Sequence, residues 1–453
     1  MPRAAGSAVR ARIGNVLENI RASLWFVPTL CVAGAVALST GLLIVDAEVA
    51  PDLKERWPWL FGGTAQAART MLAAVATSLI TVVAVAFSVT LVAVQQAASR
   101  YTPRVLQTFI RDRGNQIVLG VYIGTFTYAL LVLRQIREAT ADQTDFVPPL
   151  SITAAIGLAL ASLGFLVYFI DHAIRSLEVT WILSSIRRSI GTQLHERYPR
   201  ALEPASVEPG ATAPPVPTTG HETQVTSRDS GYLRRVDEDG LVEATRERAD
   251  FVHVCPTIGD HVLHGAVLAR IWAEKPLDEG QTAAVRDAFV LDRERSIVQD
   301  PLFGVRQIVD IAVKALSPGV NDPTTAEQCL DVLGDVLVTI IDRDFPSPLR
   351  TDAGAPRYFF NRPSFADYVD ASFSQIRRAA ANDVHVTRYL LRLLGELTDR
   401  APTEARRRPI HAQAVEVLRA LPASSFTETD RDALQRDAEA VLGRLPDTRR
   451  AAA

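Results

Sequence analysis

The longest uninterrupted apolar stretch of the chain runs from Thr70 to Ser99. It holds thirty residues without an ionisable side chain, between Arg69 and Arg100. A helix needs roughly 20 apolar residues to cross a hydrocarbon layer about 30 Å thick, and a soluble helix of this length normally carries a polar face. The pattern therefore predicts a membrane span.

Three further apolar stretches have the length and composition of spans. No acid or base lies at the centre of any of the four, which argues against a buried proton relay. The first stretch is too long for the core of a secretory signal and other spans follow it, so it is interpreted as an uncleaved anchor. The predicted spans cover about 24–45, 71–95, 114–133 and 149–170, and residues 46–68 are predicted to be a loop.

The distribution of positive residues predicts the orientation. Eleven Lys and Arg residues lie near the span ends on one side of the membrane, against five on the other. Cytoplasmic loops carry the excess of positive residues, so both termini are expected in the cytoplasm. The Arg-rich, Ala-rich composition is typical of high-GC bacterial coding.

Small and hydroxylated residues recur at spacings of three and four along the second span, so they form one stripe of the helix. Such a stripe lets membrane helices pack closely and bond across the interface. Alternatively it faces water, with Leu91 as an apolar constriction and arginines at the inner mouth of a pore. The positions concerned, named here the span-two stripe, are Thr77, Thr81, Ser88, Leu91, Gln95, Arg100 and Arg104.

The rest of the chain divides by composition. Residues 1–23 precede the spans, and the helical pattern continues beyond the fourth span, so the transmembrane domain is assigned to 24–198. Residues 199–229 are rich in proline and cannot bury a core, which predicts a linker. Residues 230–453 are predicted to form a cytoplasmic domain.

The pattern of this C-terminal domain is mixed. Tyr232–Val236 and Phe251–Cys255 alternate as strands do, and Gly259–Trp272 is typical of a strand, a glycine turn and a strand. Helical periodicity dominates after Gln281. The predicted fold is therefore a multi-pass α-helical membrane protein with four transmembrane helices and an α+β domain. Helices are expected at about 300–316, up to 341, 363–399, 403–420 and 427–444.

Charge and motifs limit the function classes. The net charge is −3, so no nucleic-acid partner is expected, and the three scattered cysteines indicate no disulfide framework. The chain has no Walker loop, GxSxG, HExxH or dinucleotide fingerprint. No enzyme activity, no cofactor and no metal are therefore predicted.

The segment SPGVNDPTTA, Ser317 to Ala326, is the most distinctive local motif. Its Pro-Gly pair is a turn signal, Asp322 suits a helix cap and Pro323 the first helical position. It is interpreted as a structural turn between two antiparallel helices. The alternative is an anion or partner site at a helix start, formed by Ser317, Gly319, Asn321, Asp322, Thr324 and Thr325.

Two other groups of residues are candidates for a functional site. His253, Cys255, Asp260, His261 and His264 are the one cluster of metal-ligand residue types, but their spacing matches no closed zinc signature. They are expected to be ordinary hairpin residues. The run Asp292 to Arg295 is expected to be a solvated charge run; the alternative is a catalytic or salt-bridged strand edge.

Three stretches together resemble one family. They are VAVQQAASRYTPRVLQTFIRDRGNQ, GDHVLHGAVL and RERSIVQDPLFGVRQIVDIAVKALSPGVNDPTTAEQCLD. The chain is similar in them to the predicted bacterial membrane proteins of domain of unknown function 2254, over about 20–400. The resemblance implies an inner-membrane protein with a cytoplasmic domain, and it brings no substrate or catalytic residue.

Two functional hypotheses follow. The first is an oligomeric channel or permeation-linked protein, with several copies of the second span around an axis. The second is a non-conducting membrane-anchored sensor or scaffold, whose cytoplasmic domain binds a ligand or protein partner at the turn around Ser317–Thr325. Both place the chain in a lipid bilayer, the first as a homo-oligomer.

Overall fold

The computed structural model describes residues 25–56, 63–100, 113–137, 146–176, 178–198, 220–246, 248–352 and 355–444. The chain folds into two compact units, which divide between Glu178 and Val179. The first is named the transmembrane domain and the second the C-terminal domain.

Four long helices form the transmembrane domain, and each contains a segment long and apolar enough to cross a membrane. The prediction of four such spans is confirmed. The loop predicted at 46–68 is shorter than expected, because the first helix continues through charged residues to Arg56. The helices are α1 (Phe26–Arg56), α2 (Ala65–Arg100), α3 (Arg113–Gln135) and α4 (Pro149–Ser176).

Helix α3 is the central helix of this domain. Half of its span is buried inside the protein, against 22% or less for the other three spans. Gly120 and Gly124 follow the GxxxG spacing that lets membrane helices approach closely. A Cβ on Gly120 would stand 2.7 Å from the Sγ of Cys31, so glycine is required where α1 crosses α3.

Two polar contacts link the ends of neighbouring helices in this domain. The carboxylate of Asp46, which is 1% exposed, accepts bonds from the amides of Leu150 and Ser151 and from the Ser151 hydroxyl, at 2.7–3.0 Å. Arg69 donates to the carbonyl of Ile136 at 2.9 Å. The Asp46 carboxylate therefore satisfies backbone amides at the start of α4, which have no water to bond to inside a membrane.

Helix α5 (Val179–Arg197) corrects the predicted domain boundary at 198. It was expected to extend the fourth span, but α4 ends at Ser176 and α5 belongs to the C-terminal domain. Its apolar face packs against two helices of that domain, α8 (Pro301–Ala315) and α9 (Pro323–Ile340). The buried residues of α5 are Ile182, Leu183, Ile186, Ile190 and Leu194.

Two small sheets form the other half of the C-terminal domain. One has five strands in the order β1-β5-β3-β8-β7, and the other has three in the order β4-β2-β6. All pairings are antiparallel except that of β3 with β8. The strands are β1 (His221–Thr226), β2 (Gly231–Val236), β3 (Ala249–Val254), β4 (His261–Val262), β5 (Val267–Ala273), β6 (Phe289–Asp292), β7 (Leu349–Asp352) and β8 (Ala355–Phe360).

Two predictions about this region need correction. Strand β1 lies inside 199–229, which was assigned to the linker, because it gains its backbone partners from β5 rather than from its own apolar content. The strands in Gly259–Trp272 are joined by a turn at Gly265 (φ +80°) but do not pair with each other. β4 pairs with β2, and β5 pairs with β1 and β3.

The remaining helices confirm the predicted helical content after Gln281. The helix expected at 363–399 is two helices, which break between Ala379 and Val384, where Asp383 caps the second. The domain thus combines helices and sheets as expected. Besides α8 and α9, its helices are α6 (Glu238–Thr245), α7 (Glu279–Asp287), α10 (Phe365–Ala379), α11 (Val384–Arg400), α12 (Glu404–Ala420) and α13 (Glu428–Leu442).

Candidate functional site

A cavity opens in the C-terminal domain where the ends of several elements meet. These are the end of α5, the start of α6, the loop after β3, the start of α8 and the connection from β8 to α10. The cavity offers about 50 Å³ to the centre of a water-sized molecule. We name it the arginine pocket; its polar and charged lining includes Arg197, Tyr198, Glu238, Asp300, Arg362 and Tyr368.

Arg197 is the last residue of α5 and is half-buried. Within the part of the chain that the structure describes, its guanidinium forms no ion pair and no hydrogen bond. Burial is the main cause that lowers the pKa of Arg197, and the positive charge of Arg362 acts in the same direction. Because a guanidinium stays protonated in proteins, Arg197 brings an unneutralised positive charge to the pocket.

Arg362 approaches the same pocket from the β8–α10 connection. Its Nη2 donates to both carboxylate oxygens of Glu238, at 2.8 and 2.9 Å. The guanidinium also lies 5.1 Å from the ring centre of Phe360, at cation–π distance. Its Nε is buried and has no hydrogen-bond partner among the residues that the structure describes. Glu238 therefore fixes Arg362 while leaving that donor free.

Two tyrosine hydroxyls meet at the pocket. The hydroxyls of Tyr198 and Tyr368 are 3.1 Å apart, and both side chains are buried. Burial raises the pKa of both phenols, so both keep their protons near neutral pH. One of the two hydrogens makes the mutual bond, which leaves the second hydrogen for another acceptor.

Asp300 also lines the pocket, but its carboxylate already accepts hydrogen bonds from other groups of the chain. Asp300, 5% exposed, caps α8 through the amide of Phe303 and accepts from Arg295 at 2.7 Å. Burial raises the pKa of Asp300, while Arg295 opposes that rise. The preceding Gln299 has the left-handed conformation (φ +61°), and its amide donates to Gln193 of α5 at 2.9 Å. Such backbone strain concentrates at functional sites.

The pocket thus has more donors than acceptors. The carboxylates of Glu238 and Asp300 each accept from an arginine of their own. In the described part of the chain, Arg197, the Arg362 Nε and one tyrosine hydrogen have no acceptor. An anion site requires partly buried hydrogen-bond donors around a positive charge. A bound oxyanion would satisfy all of these donors by accepting charge-assisted hydrogen bonds from them.

The predicted turn at Ser317–Thr325 joins α8 to α9 within the C-terminal domain. Asp322 caps α9 by accepting from the amide and hydroxyl of Thr325, at 3.1 and 2.7 Å, and Pro323 takes the first helical position. Ser317 donates to the Lys314 carbonyl. Asn321 has φ +50°, and Gly319 and Thr324 are exposed. Because the Asp322 carboxylate already covers the helix start, the arrangement suits a turn better than an anion site.

The span-two stripe lies on the exposed side of α2, away from the side that packs against α3 and α4. Thr77, Thr81, Ser88, Leu91 and Gln95 are exposed on the single chain. Thr81 and Ser88 donate to the carbonyls of Thr77 and Ala84, at 3.0 and 2.9 Å. The stripe is therefore not the packing surface inside one chain; Arg100 ends α2, and Arg104 lies outside the described residues. The buried side holds Ala65, Ala68, Leu72, Ala76, Leu79, Ala86 and Ala93.

Of the candidate metal-ligand residues, His253 and His261 lie in strands, Cys255 and Asp260 lie in the loop between β3 and β4, and His264 lies in the turn before β5. Among the described residues no group of three potential ligands could hold a metal ion. His253 is on β3 against Phe359, His261 on β4 against Tyr232, and the Cys255 carbonyl accepts from Asn361.

The charge run 292–295 is only partly solvated, contrary to expectation. Asp292 pairs with Arg234 at 2.9 Å and Arg295 pairs with Asp300, whereas Arg293 and Glu294 are exposed. The first and last residues of the run are thus paired with the domain, and the two middle residues face solvent.

No pattern in the sequence predicted the arginine pocket. Arg197 and Arg362 are 165 positions apart, and neither stands in a recognised motif. One clue was available, since Asp300 and Gly259 lie in two of the three stretches that carry the family resemblance. Those two stretches meet beside the pocket, where Gly259 contacts the Arg295–Asp300 pair.

The fold and the pocket define a class: a membrane protein with four candidate spans followed by a mixed domain of helices and sheets. Within that class, the chain belongs to the family of predicted membrane proteins DUF2254, which matches residues 21–396. It is 30% identical over 425 residues to uncharacterized proteins of Mycobacterium tuberculosis H37Rv and of Mycobacterium bovis, covering 92% of this chain and 79% of each relative. No solved structure matches the chain.

Proposed function

We propose that this chain is a membrane-anchored sensor whose C-terminal domain binds a small oxyanion in the arginine pocket. The observation that carries the proposal is the unneutralised guanidinium of Arg197 beside the unpartnered Nε of Arg362. A bound anion would relieve the repulsion between the two arginines and accept from both. The proposal assigns binding and no catalysis, and it moves the contact point of the sensor hypothesis from the Ser317–Thr325 turn to this pocket.

The size of the pocket limits the ligand. One water needs about 10–15 Å³ of such space, so the 50 Å³ available holds about four waters or one tetrahedral oxyanion. Inorganic phosphate and the phosphoryl group of a larger molecule have that size. The apolar part of the lining, from Pro256, Ile258 and Pro363, disfavours a strongly hydrated cation.

The proposed compartment is the cytoplasm of a bacterium, with the spans in the inner membrane. The excess of Lys and Arg near the span ends on the side of both termini supports this orientation. Phosphate and phosphorylated metabolites are abundant in the cytoplasm, so a pocket there meets its ligand directly.

Calorimetric titration of the full chain in detergent with inorganic phosphate tests the proposal. Arg197→Gln should weaken binding roughly 10- to 100-fold, because charge-assisted hydrogen bonds contribute about 1.5–3 kcal/mol. Arg388→Gln is the matched control, since Arg388 forms an exposed ion pair with Asp437 on other helices. Absence of a binding heat for phosphate, or equal affinities of the wild type and Arg197→Gln, would contradict the proposal.

A second candidate function is the oligomeric channel. The observation in its favour is that the span-two stripe is exposed on a single chain, where a homo-oligomer would bring several stripes around one axis. In liposomes, Ser88→Leu and Leu91→Ser should then change conductance in opposite directions. No ion flux from the purified wild type, or a single-copy mass in detergent, would count against this candidate.

A further inference from the structure

We infer that the transmembrane domain contains a second binding site, for a lipid-soluble molecule that carries a carbonyl group. The site is a cavity of about 290 Å³ between α2, α3 and α4. Small side chains on the two outer helices create the space. They are Ala74 and Ser78 of α2, and Ala159 and Ser162 of α4.

Tyr122 of α3 supplies the polar group of this cavity. The side chain is 1% exposed, and among the described residues its hydroxyl has no hydrogen-bond partner. Tyr128 lies further along the same helix and is also fully buried, but its hydroxyl has a partner. It donates a hydrogen bond to the Ser151 carbonyl at 3.0 Å. A buried hydroxyl without a partner is costly, so the Tyr122 hydroxyl requires an acceptor that the described residues do not provide.

Ser78 adds a second donor to the same cavity. Other hydroxyl residues of α2, such as Thr81 and Ser88, donate to the carbonyl four residues earlier. Ser78 makes no such bond in the part of the chain that the structure describes, although it lines the cavity. The third hydroxyl of the lining, that of Ser162, already donates to the Leu158 carbonyl at 2.8 Å. Tyr122 and Ser78 are therefore the two hydroxyl donors that line the cavity, and the other lining residues are apolar.

The depth of the cavity decides which molecule fits. Ser78, Tyr122 and Ser162 each lie within about three residues of the middle of their candidate spans, about 4.5 Å along a helix. The ester carbonyls of a phospholipid lie at the edge of the hydrocarbon layer, about 15 Å from its centre. They cannot reach Tyr122. A single water molecule needs only about 10–15 Å³ of such space, so it would leave most of the 290 Å³ empty.

The occupant is therefore a molecule without a charged head group that can place a carbonyl at the centre of the bilayer. A quinone with an alkyl tail has this chemistry: a flat apolar ring for the space between α2 and α4, and a carbonyl oxygen to accept from Tyr122. This site is independent of the arginine pocket, since no residue is shared.

The test uses the full chain in detergent, with decylubiquinone as the probe and decylbenzene as the matched probe without carbonyls. The readout is the shift of the thermal unfolding midpoint with probe concentration. Decylubiquinone should bind the wild type, and Tyr122→Phe should weaken it roughly 3- to 10-fold, the value of one hydrogen bond. Ala159→Leu, which fills the cavity, should abolish binding. Tyr128→Phe is the control and should keep the wild-type affinity.

Tyr122→Phe should also raise the midpoint without any probe, because it removes an unsatisfied hydroxyl and keeps the ring. Two results would overturn the inference. One is equal affinity of decylubiquinone for the wild type and Tyr122→Phe; the other is equal affinity of the wild type for decylubiquinone and decylbenzene, since then any alkyl chain fills the space.

Discussion

Gly259 lies directly against the carboxylate of Asp300: a Cβ at this position would stand 2.5 Å from Asp300 Oδ2 and equally close to the Arg295 guanidinium. Gly259 also has φ +96°, a conformation that favours glycine. The loop after β3 can therefore approach the start of α8 only with glycine here. This contact fixes one wall of the arginine pocket.

Gly259→Ala should destabilise the chain by about 2–4 kcal/mol, since it adds steric displacement of the Arg295–Asp300 pair to the cost of the backbone conformation. Chemical denaturation of the detergent-solubilised chain measures the loss. The control is Gly265→Ala, at φ +80° with no heavy atom within 4 Å of its Cβ. That variant should lose only about 1 kcal/mol. Equal losses for the two variants would show that the contact with Asp300 contributes nothing.

Asp46→Ala should destabilise the transmembrane domain by about 2–3 kcal/mol, because it leaves two amides and a hydroxyl at the start of α4 without an acceptor. Unfolding in a denaturing detergent measures this loss. Glu48→Ala, two residues along and exposed, is the matched control and should be near neutral. An Asp46 variant as stable as the Glu48 variant would contradict the capping role.

Gly120→Leu should separate α1 from α3, because even a Cβ at this position meets Cys31 at 2.7 Å. We expect a loss of about 2 kcal/mol or more, or failure to extract folded protein. Gly157→Leu provides the control, since Gly157 is exposed on α4 with open space around it. A monodisperse chromatographic peak and an unchanged midpoint for Gly120→Leu would contradict the close crossing.

Asp322→Ala distinguishes the two interpretations of the Ser317–Thr325 turn. As a helix cap, Asp322 should contribute about 0.5–2 kcal/mol, and its loss should appear in thermal unfolding. Thr324→Ala, at an exposed neighbour outside the cap, should cost little. Phosphate affinity should be the same in both variants; a change in affinity without a change in stability would instead favour an anion site at this turn.

The stability of the C-terminal domain should fall as the pH is lowered through the histidine range. Burial lowers the pKa of His253, and Arg270 acts in the same direction. The folded state thus binds a proton less readily than the unfolded state, so protonation favours unfolding. His253→Leu should flatten the dependence of the unfolding midpoint between about pH 7.5 and about pH 5.5. A second substitution, His411→Leu, should flatten it further, because burial lowers the pKa of His411 as well. An unchanged slope in both variants would refute this assignment.

Local patterns predicted much of the secondary structure. The four apolar stretches are the four candidate spans, because the length of an apolar run is a property of the sequence alone. Helix α8 was expected at Asp300–Leu316 and covers Pro301–Ala315, since the cap at Asp300, the first-turn proline and the apolar period all lie within it. Strands β2 and β3 showed the alternation of half-buried strands.

Elements held by distant partners were predicted less well. β1 has the composition of a linker and becomes a strand only because β5 offers it a free edge. Helix α5 continues the helical pattern of the fourth span, yet its apolar face is buried by α8 and α9, which follow more than a hundred residues later. The exposed side of α2 was likewise undetermined, since both of its sides carry small residues.

The sequence by itself determined that the amino-terminal third is apolar enough to span a membrane four times and that a polar domain follows. The free energy of moving apolar side chains out of water depends on composition, which any sequence displays. Only the tertiary structure decided that Arg197 and Arg362 line one pocket, that Gly259 lies against Asp300, and that the Tyr122 hydroxyl finds no partner among the described residues. Such pairings depend on how distant segments are brought together, and the geometry of a binding site exists only after they meet.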